Sequence, residues 1–464
     1  MEAWNLEMSV ADLLFDFMII SLLLVLGTIL RRYVRFFQRF LIPNSLIAGF
    51  LGLLLGVELL NFLPFDPTRM GAYVYHLLAL TFISVGLYQT DKKHSSAAMN
   101  LGFMQVAVML IQGVFGLAIA IIVALTVVPD LNPAMGVLLP LGYAMGPGIA
   151  YSIGQSWTAF GYAGAGATGL TIAAVGYLVA YFFGMTLVNR AVGKGQTTDI
   201  PSHVRTGIRS KENRPVGAKL SFSGAAVEPL AVHLALVGVV YLLTWIVASA
   251  LAKALMSAGL EQEIPILWSF HFIIANLLAL ATRKIVLKGR RGAWIDDGMI
   301  HRVTGTFAEF LIVTSIMGIS LTIALRFALP LIVICLVGAW LTYKFVKWTC
   351  WAIFNDFRFE RFIGMFAQMT GTISSGMALL RVTDPEYRSP VAQELVLSSG
   401  IALGLGFPLL VLINMPFTRF NGSMSGFLIV MAAMAVYLVL LIVGWRFYWR
   451  RTSSVHHEKS DPGN

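Results

Sequence analysis

Gly142-Tyr-Ala-Met-Gly-Pro-Gly-Ile-Ala-Tyr-Ser-Ile-Gly154 is an apolar stretch that cannot run as one helix. Pro147 removes a backbone donor, and Gly146 and Gly148 weaken the helical backbone on either side of it. At membrane depth an interrupted backbone survives only where protein or a water-filled cavity covers it. Such a break points to a binding site, and more strongly when the other half of the chain carries a counterpart. Gly364-Met-Phe-Ala-Gln-Met-Thr-Gly-Thr-Ile-Ser-Ser-Gly376 is that counterpart, 222 residues further on.

The setting is a bilayer. The 464 residues are 58% hydrophobic and only 12% charged, with a mean hydropathy of +0.79. Soluble domains carry roughly 25% charged residues. Cys335 and Cys350 form neither a disulfide framework nor a metal set. Glu2 and Glu7 stand where a secretory leader has a basic region, so no cleaved leader is expected. The net charge of +10 is read as Lys and Arg of cytoplasmic loops and not as a nucleic-acid surface.

Apolar runs place five spans in the first half, at about 12–30, 40–60, 73–88, 101–128 and 161–188. The broken segment at about 134–158 precedes the fifth. Residues 189–228 are polar, with seven Lys or Arg, and read as a linker. The second half repeats the order, at about 229–256, 262–282, 303–325, 329–347 and 391–414, with its broken segment at about 362–380. An unmatched span at about 424–445 ends among Trp445, Arg446, Trp449, Arg450 and Arg451, followed by a polar tail. The expected fold is an all-α polytopic membrane protein. Residues 1–188 form one repeat, 229–414 a second, and 415–464 an extra helix and tail.

Five crossings per half make the two copies upside down relative to each other. With the N-terminus outside and each broken segment entering and leaving on one side, about 29 of the 33 Lys and Arg fall on the cytoplasmic side. Each hairpin arm of about 10 residues reaches about 15 Å, half of a ~30 Å core, so the tips are expected near the midplane.

The tips supply the candidate ligand groups. The first offers Gly146, Pro147, Gly148 and Ser152, with Gln155, Ser156 and Thr158 beside them. The second offers Gln368, Thr370, Gly371, Thr372, Ser374 and Ser375. Free N–H groups at half-helix starts suit a carboxylate, and free carbonyls and hydroxyls suit a cation. Arg381 could meet an anionic substrate entering from the cytoplasm. Glu309, an acid within a span, is read as a cation ligand or proton carrier, with Ser152 and Thr372 as further sodium ligands. Asp16 lies nearer a span end. Asn44 and Asn276 suit interhelical hydrogen bonds, and His76, His233 and His271 suit packing or an interface.

Several strings resemble the bacterial sodium/glutamate symporter family. They are Leu41-Ile-Pro-Asn-Ser-Leu-Ile-Ala-Gly49, Leu78-Ala-Leu-Thr-Phe-Ile-Ser-Val-Gly86, the segment from Met145 to Trp157, and Gly371–Leu380 followed by Glu394–Gly406. The likeness covers about residues 12–414. The family's first tip reads Gly-Gly-His-Gly-Thr. Met145-Gly-Pro-Gly-Ile149 keeps Gly146 and Gly148 and carries Pro147 for His and Ile149 for Thr. The resemblance implies a homodimeric elevator transporter in which a core carrying both hairpins slides against a fixed scaffold.

The expected function is sodium-coupled symport of a small carboxylate or amino acid such as glutamate across the cell membrane, without enzymatic activity. A proton-coupled carrier or exporter keeps the same fold. A channel calls for a continuous polar ring along several spans, whereas irregular backbone here is concentrated in two places. Gly154-Gln-Ser156-Trp157 shares a short string with intramembrane serine proteases, a class that eleven spans and two hairpins do not suit.

Overall fold

The computed structural model describes residues 9–88, 95–193, 227–287, 294–384 and 389–458. Most of the linker, 194–226, lies outside them, as do the basic residues of 91–94, Lys288, Arg290, Arg291 and the last six residues. All regular structure among the described residues is helical. Among the described residues, eight helices are long and apolar enough to cross a bilayer, or nine if one bent pair counts as a span. The chain is a polytopic helical membrane protein.

In order, the helices are α1 (Val10–Tyr33), α2 (Asn44–Leu55), α3 (Pro67–Leu87), α4 (Ser96–Thr126), α5 (Pro133–Met145), α6 (Pro147–Ser156), α7 (Ala165–Val192) and α8 (Pro229–Ser257). Then come α9 (Glu261–Ser269), α10 (His271–Ile285), α11 (Asp297–Met317), α12 (Leu321–Arg326), α13 (Ala328–Ile353), α14 (Arg358–Thr383), α15 (Val391–Leu412) and α16 (Met424–Glu458). Asp66 caps α3, Ser95 caps α4 and Asp296 caps α11, each by a side-chain oxygen that accepts an early backbone N–H.

Two expected spans are shorter than their apolar runs. The run at 40–60 contains only the 12-residue α2, which ends where Gly56 turns extended. At 1.5 Å per residue it covers about 18 Å, short of a ~30 Å core. The run at 303–325 is divided at Gly318 into α11 and α12, and α11 starts earlier than expected, at Asp297. The run at 262–282 bends by 61° between α9 and α10.

The chain forms two compact units. The first takes Met1–Lys92, Pro147–Leu170 and Thr206–Ile323; the second takes Lys93–Gly146, Thr171–Arg205 and Ala324–Asn464. Each therefore draws on both halves of the sequence.

In the first unit α3 packs on α10 and α11, and α2 packs on α1 and α11. Ile20, Leu23, Ala48, Phe65, Met70, Val313 and Met317 make one core, and Ile83, Leu87, Val237, Ala275, Ile300 and Val303 belong to another. Gly27 lets α1 approach the Asn44 carbonyl, since a methyl group there would lie 2.5 Å from that oxygen. Leu13, Phe17 and Val25 of α1 and Val239, Leu242 and Ile246 of α8 remain exposed, as on the lipid side of a membrane helix.

In the second unit α4 is central and packs on α13, α15, α16 and the start of α5. Gly116 and Gly136 put two backbones in direct contact. Polar pairs join the helices: Gln105 Nε2 donates to Ser398 Oγ at 2.6 Å, and Trp445 Nε1 donates to Asn100 Oδ1 at 2.8 Å.

Candidate functional site

The first break falls at Gly146. A π-helical turn, Leu141–Met145, ends α5, and Gly146 adopts φ 98°, ψ 170°, a region essentially reserved for glycine. Pro147 then opens α6 as its first helical residue, where a missing N–H costs nothing. The second break lies inside α14. Gly371 has φ −146°, ψ 32°, and Thr372 has φ 69°, ψ 171°. Thr372 thus holds nearly the same conformation as Gly146, at a cost of order 1–3 kcal/mol for a residue with a Cβ.

The two breaks touch within the second unit. A methyl group on Gly146 would lie 2.7 Å from Cγ2 of Thr372. Tyr177 of α7 shares a hydrogen bond with Thr372. One face of Gly176 lies directly on the Thr370 carbonyl, and Gly371 faces Ala180. Here α7 carries a second π-helical turn, Val179–Phe183, and such turns often mark functional positions.

Buried polar groups gather on the α14 break. Gln112 of α4 is fully buried; its Nε2 donates to the Met369 carbonyl at 3.0 Å and to Thr342 Oγ1 at 2.8 Å. Gln368 Nε2 donates to Ser399 Oγ at 2.9 Å. The Oε1 atoms of both glutamines and Oγ of Ser375 are buried and have no hydrogen-bond partner. Thr370 spends its hydroxyl on the Phe366 carbonyl, and Ser374 is exposed. Among the candidates of the second tip, Gly371, Thr372 and Ser375 therefore stand directly at the break.

The hydroxyls after the first break go elsewhere. Ser152, Gln155, Ser156 and Thr158 line a cavity of about 270 Å³ in the first unit, with Tyr75 and Trp268 among its walls. Ser152 Oγ donates to the Ser269 carbonyl at 2.8 Å, and Tyr75 Oη donates to the Trp268 carbonyl at 2.8 Å. Both carbonyls lie at the bend between α9 and α10, where the helix ladder is interrupted. Gly148 packs on Leu78 of α3. Pro147, Gly148 and Ser152 thus belong to the first unit, and Gly146, Thr370, Gly371, Thr372, Ser374 and Ser375 to the second.

The charged candidates have other neighbours. Glu309 belongs to the first unit, where Arg31, Asn44 and Ser45 surround its carboxyl at the N-terminus of α2. That end has no side-chain cap of its own, and its free N–H groups favour a negative charge. Oε2 of Glu309 and Oγ of Ser45 are buried without a hydrogen bond of ordinary geometry. Arg381 is exposed nine residues beyond Thr372, about 14 Å along the helix axis. Asp16 is fully buried and bound by Arg69 at 2.8 Å and Tyr73 at 3.1 Å, which accounts for an acid inside α1. No group of three His, Cys, Asp or Glu side chains gathers among the described residues.

Residue-type patterns left three participants unmarked. Tyr177 and Gln112 act through tertiary contacts; the only local signal was an amide within the apolar 31-residue α4. Arg361, 2% exposed, binds Glu394 through Nε at 2.8 Å and Nη2 at 3.1 Å, and Asp356 through Nη1 at 2.8 Å. It ties the first arm of α14 to α15, and its charge is spent there. No protein-family model matches this sequence, and no curated protein matches it.

Proposed function

We propose that this protein is a secondary transporter of a small carboxylate or amino acid, driven by sodium and working by an elevator movement. The observation that carries the proposal is the meeting of two interrupted helices, one from each half of the sequence. Gly146 and Thr372 touch in the same glycine-type conformation. Paired interrupted helices are the usual construction of transporter binding sites.

The division into units supports the same reading. The first unit holds α1–α3, α6 and α8–α11, and the second holds α4, α5, α13–α16 and most of α7, with α12 divided at Ile323. In both halves the early helices go to one unit and most of the later ones to the other; α6, which follows the first break, goes with the early helices. Apart from α6, this is the division expected of a scaffold and a carrying unit built from an inverted repeat. The proposal includes a homodimer in the cell membrane, with the N-terminus outside and the linker cytoplasmic. Sodium coupling draws on the buried, unpartnered Oε1 of Gln368. Glu309, half-buried with its Oε2 shielded and without a hydrogen bond of ordinary geometry, favours a second reading on the same fold, coupling to protons.

Uptake into proteoliposomes tests the proposal. Accumulation of an organic solute that collapses without an inward sodium gradient is the expected result. Accumulation driven equally well by a proton gradient alone selects the second reading. Passive flux of inorganic ions without solute accumulation would replace both with a channel.

A further inference from the structure

We infer that the cargo is a zwitterionic α-amino acid with an uncharged side chain, held across the break in α14; the inference rests on the transporter reading above. The break joins two opposite helix ends. The arm before it, ending at Thr370, presents C-terminal carbonyl groups, and the arm from Thr372 to Thr383 presents N-terminal N–H groups. An α-amino acid carries its ammonium and carboxylate on one carbon, so a single break matches both.

Buried side chains extend each end. On the N–H side stands Ser375, fully buried, its Oγ without a partner and 2.9 Å from where a Cβ on Gly371 would sit. Its hydroxyl can donate to a carboxylate. On the carbonyl side stands Gln112, fully buried and hydrogen-bonded to the Met369 carbonyl, with Oε1 unpartnered. That oxygen can accept from an ammonium group. An unpaired buried polar atom is costly, and a ligand supplying the missing partner recovers the loss.

A second acidic group would meet no cationic side chain from the segments that form the break. No Asp, Glu, Lys, Arg or His occurs in 95–129, 131–146, 171–189, 327–343, 362–380 or 395–418, the segments from which this part of the second unit is built. The three arginines of α14 lie away from the break, Arg358 thirteen residues before Gly371. Arg361 is ten residues before Gly371 and bound to Glu394 and Asp356; Arg381 is exposed nine residues after Thr372. An unpaired carboxylate in such surroundings bears a large desolvation penalty, which glutamate or a dicarboxylate would incur and a neutral amino acid avoids.

The test is uptake into proteoliposomes of the full-length protein under a sodium gradient, with radiolabelled alanine, serine, methionine and leucine beside glutamate, succinate and lysine. At least one neutral amino acid should accumulate 10-fold faster than any charged solute. Its N-acetyl and methyl-ester derivatives, each lacking one charge, should compete at least 10-fold more weakly. Ser375→Ala should raise KM for the neutral amino acid about 10-fold. Preferred uptake of glutamate or succinate, or equal competition by N-acetyl derivatives, overturns the inference and leaves the transporter reading intact. Accumulation of none of these solutes, by protein shown to be inserted and folded, counts against both. If Ser375→Ala does not insert, the derivative competition on the natural protein decides alone.

Discussion

Thr372 repeats the backbone conformation of Gly146 and lies against it, so that a single methyl group on Gly146 would stand 2.7 Å from Thr372 Cγ2. A β-branched residue in a glycine region is strained, and strain of this kind persists where the surroundings over-determine it. The hydrogen bond from Tyr177 and the contact with Gly146 are two of those constraints.

Thr372→Gly should stabilise the protein, by about 1 kcal/mol once the lost hydrogen bond to Tyr177 is set against the relieved strain. Transport should fall at the same time. Gly146→Ala should destabilise by more than about 1 kcal/mol, because it places a Cβ at positive φ and against Thr372. The double variant Gly146→Ala/Thr372→Gly should recover part of that loss. Thermal unfolding in lipid nanodiscs reads all three, and strictly additive effects would mean that the two residues do not press on each other.

Arg361 and Glu394 should behave as a buried pair. Arg361→Met leaves the buried Glu394 charge unpaired and should cost about 3–5 kcal/mol, Glu394→Gln should cost less because Arg361 keeps Asp356, and replacing Arg361 and Glu394 together by Met and Leu should cost much less than Arg361→Met. Equal losses for the single and double variants in the same unfolding measurement would assign the pair a role beyond mutual neutralisation.

Glu309→Gln separates the two coupling readings. If the carboxyl carries a proton, uptake should lose its pH dependence while the protein remains folded. If it holds sodium, the sodium concentration for half-maximal uptake should rise several-fold. If it only caps α2, Gln should reduce stability by about 0.5–2 kcal/mol and leave both profiles in place.

Orientation is open to direct labelling. Cysteines placed in 189–228 should react with impermeant maleimide only from the cytoplasmic side, and a cysteine at Asp130 only from outside. The opposite pattern would remove the inverted-repeat argument.

The sequence by itself determined that this is a helical membrane protein with two interruptions. Both properties are local: hydropathy accumulates residue by residue, and Gly or Pro disrupts the helix where it stands. It also placed the interruptions within one or two residues, at Gly146-Pro147 and at Gly371. Sequence did not show where α2 stops, because apolar residues resume on both sides of Glu58 and run to Leu60 whether or not the backbone turns at Gly56. Nor did it separate the hydroxyls of the first tip. Ser152 follows Gly146 by six residues, yet it lines the cavity of the first unit while Gly146 meets Thr372 in the second. The partners that decide this, Ser269 for one and Thr372 for the other, lie more than a hundred residues away. Which oxygen fills which bend, which glycine admits which neighbour, and that Arg361 is already spent on Glu394 follow from packing between distant segments. Only the tertiary structure decided them.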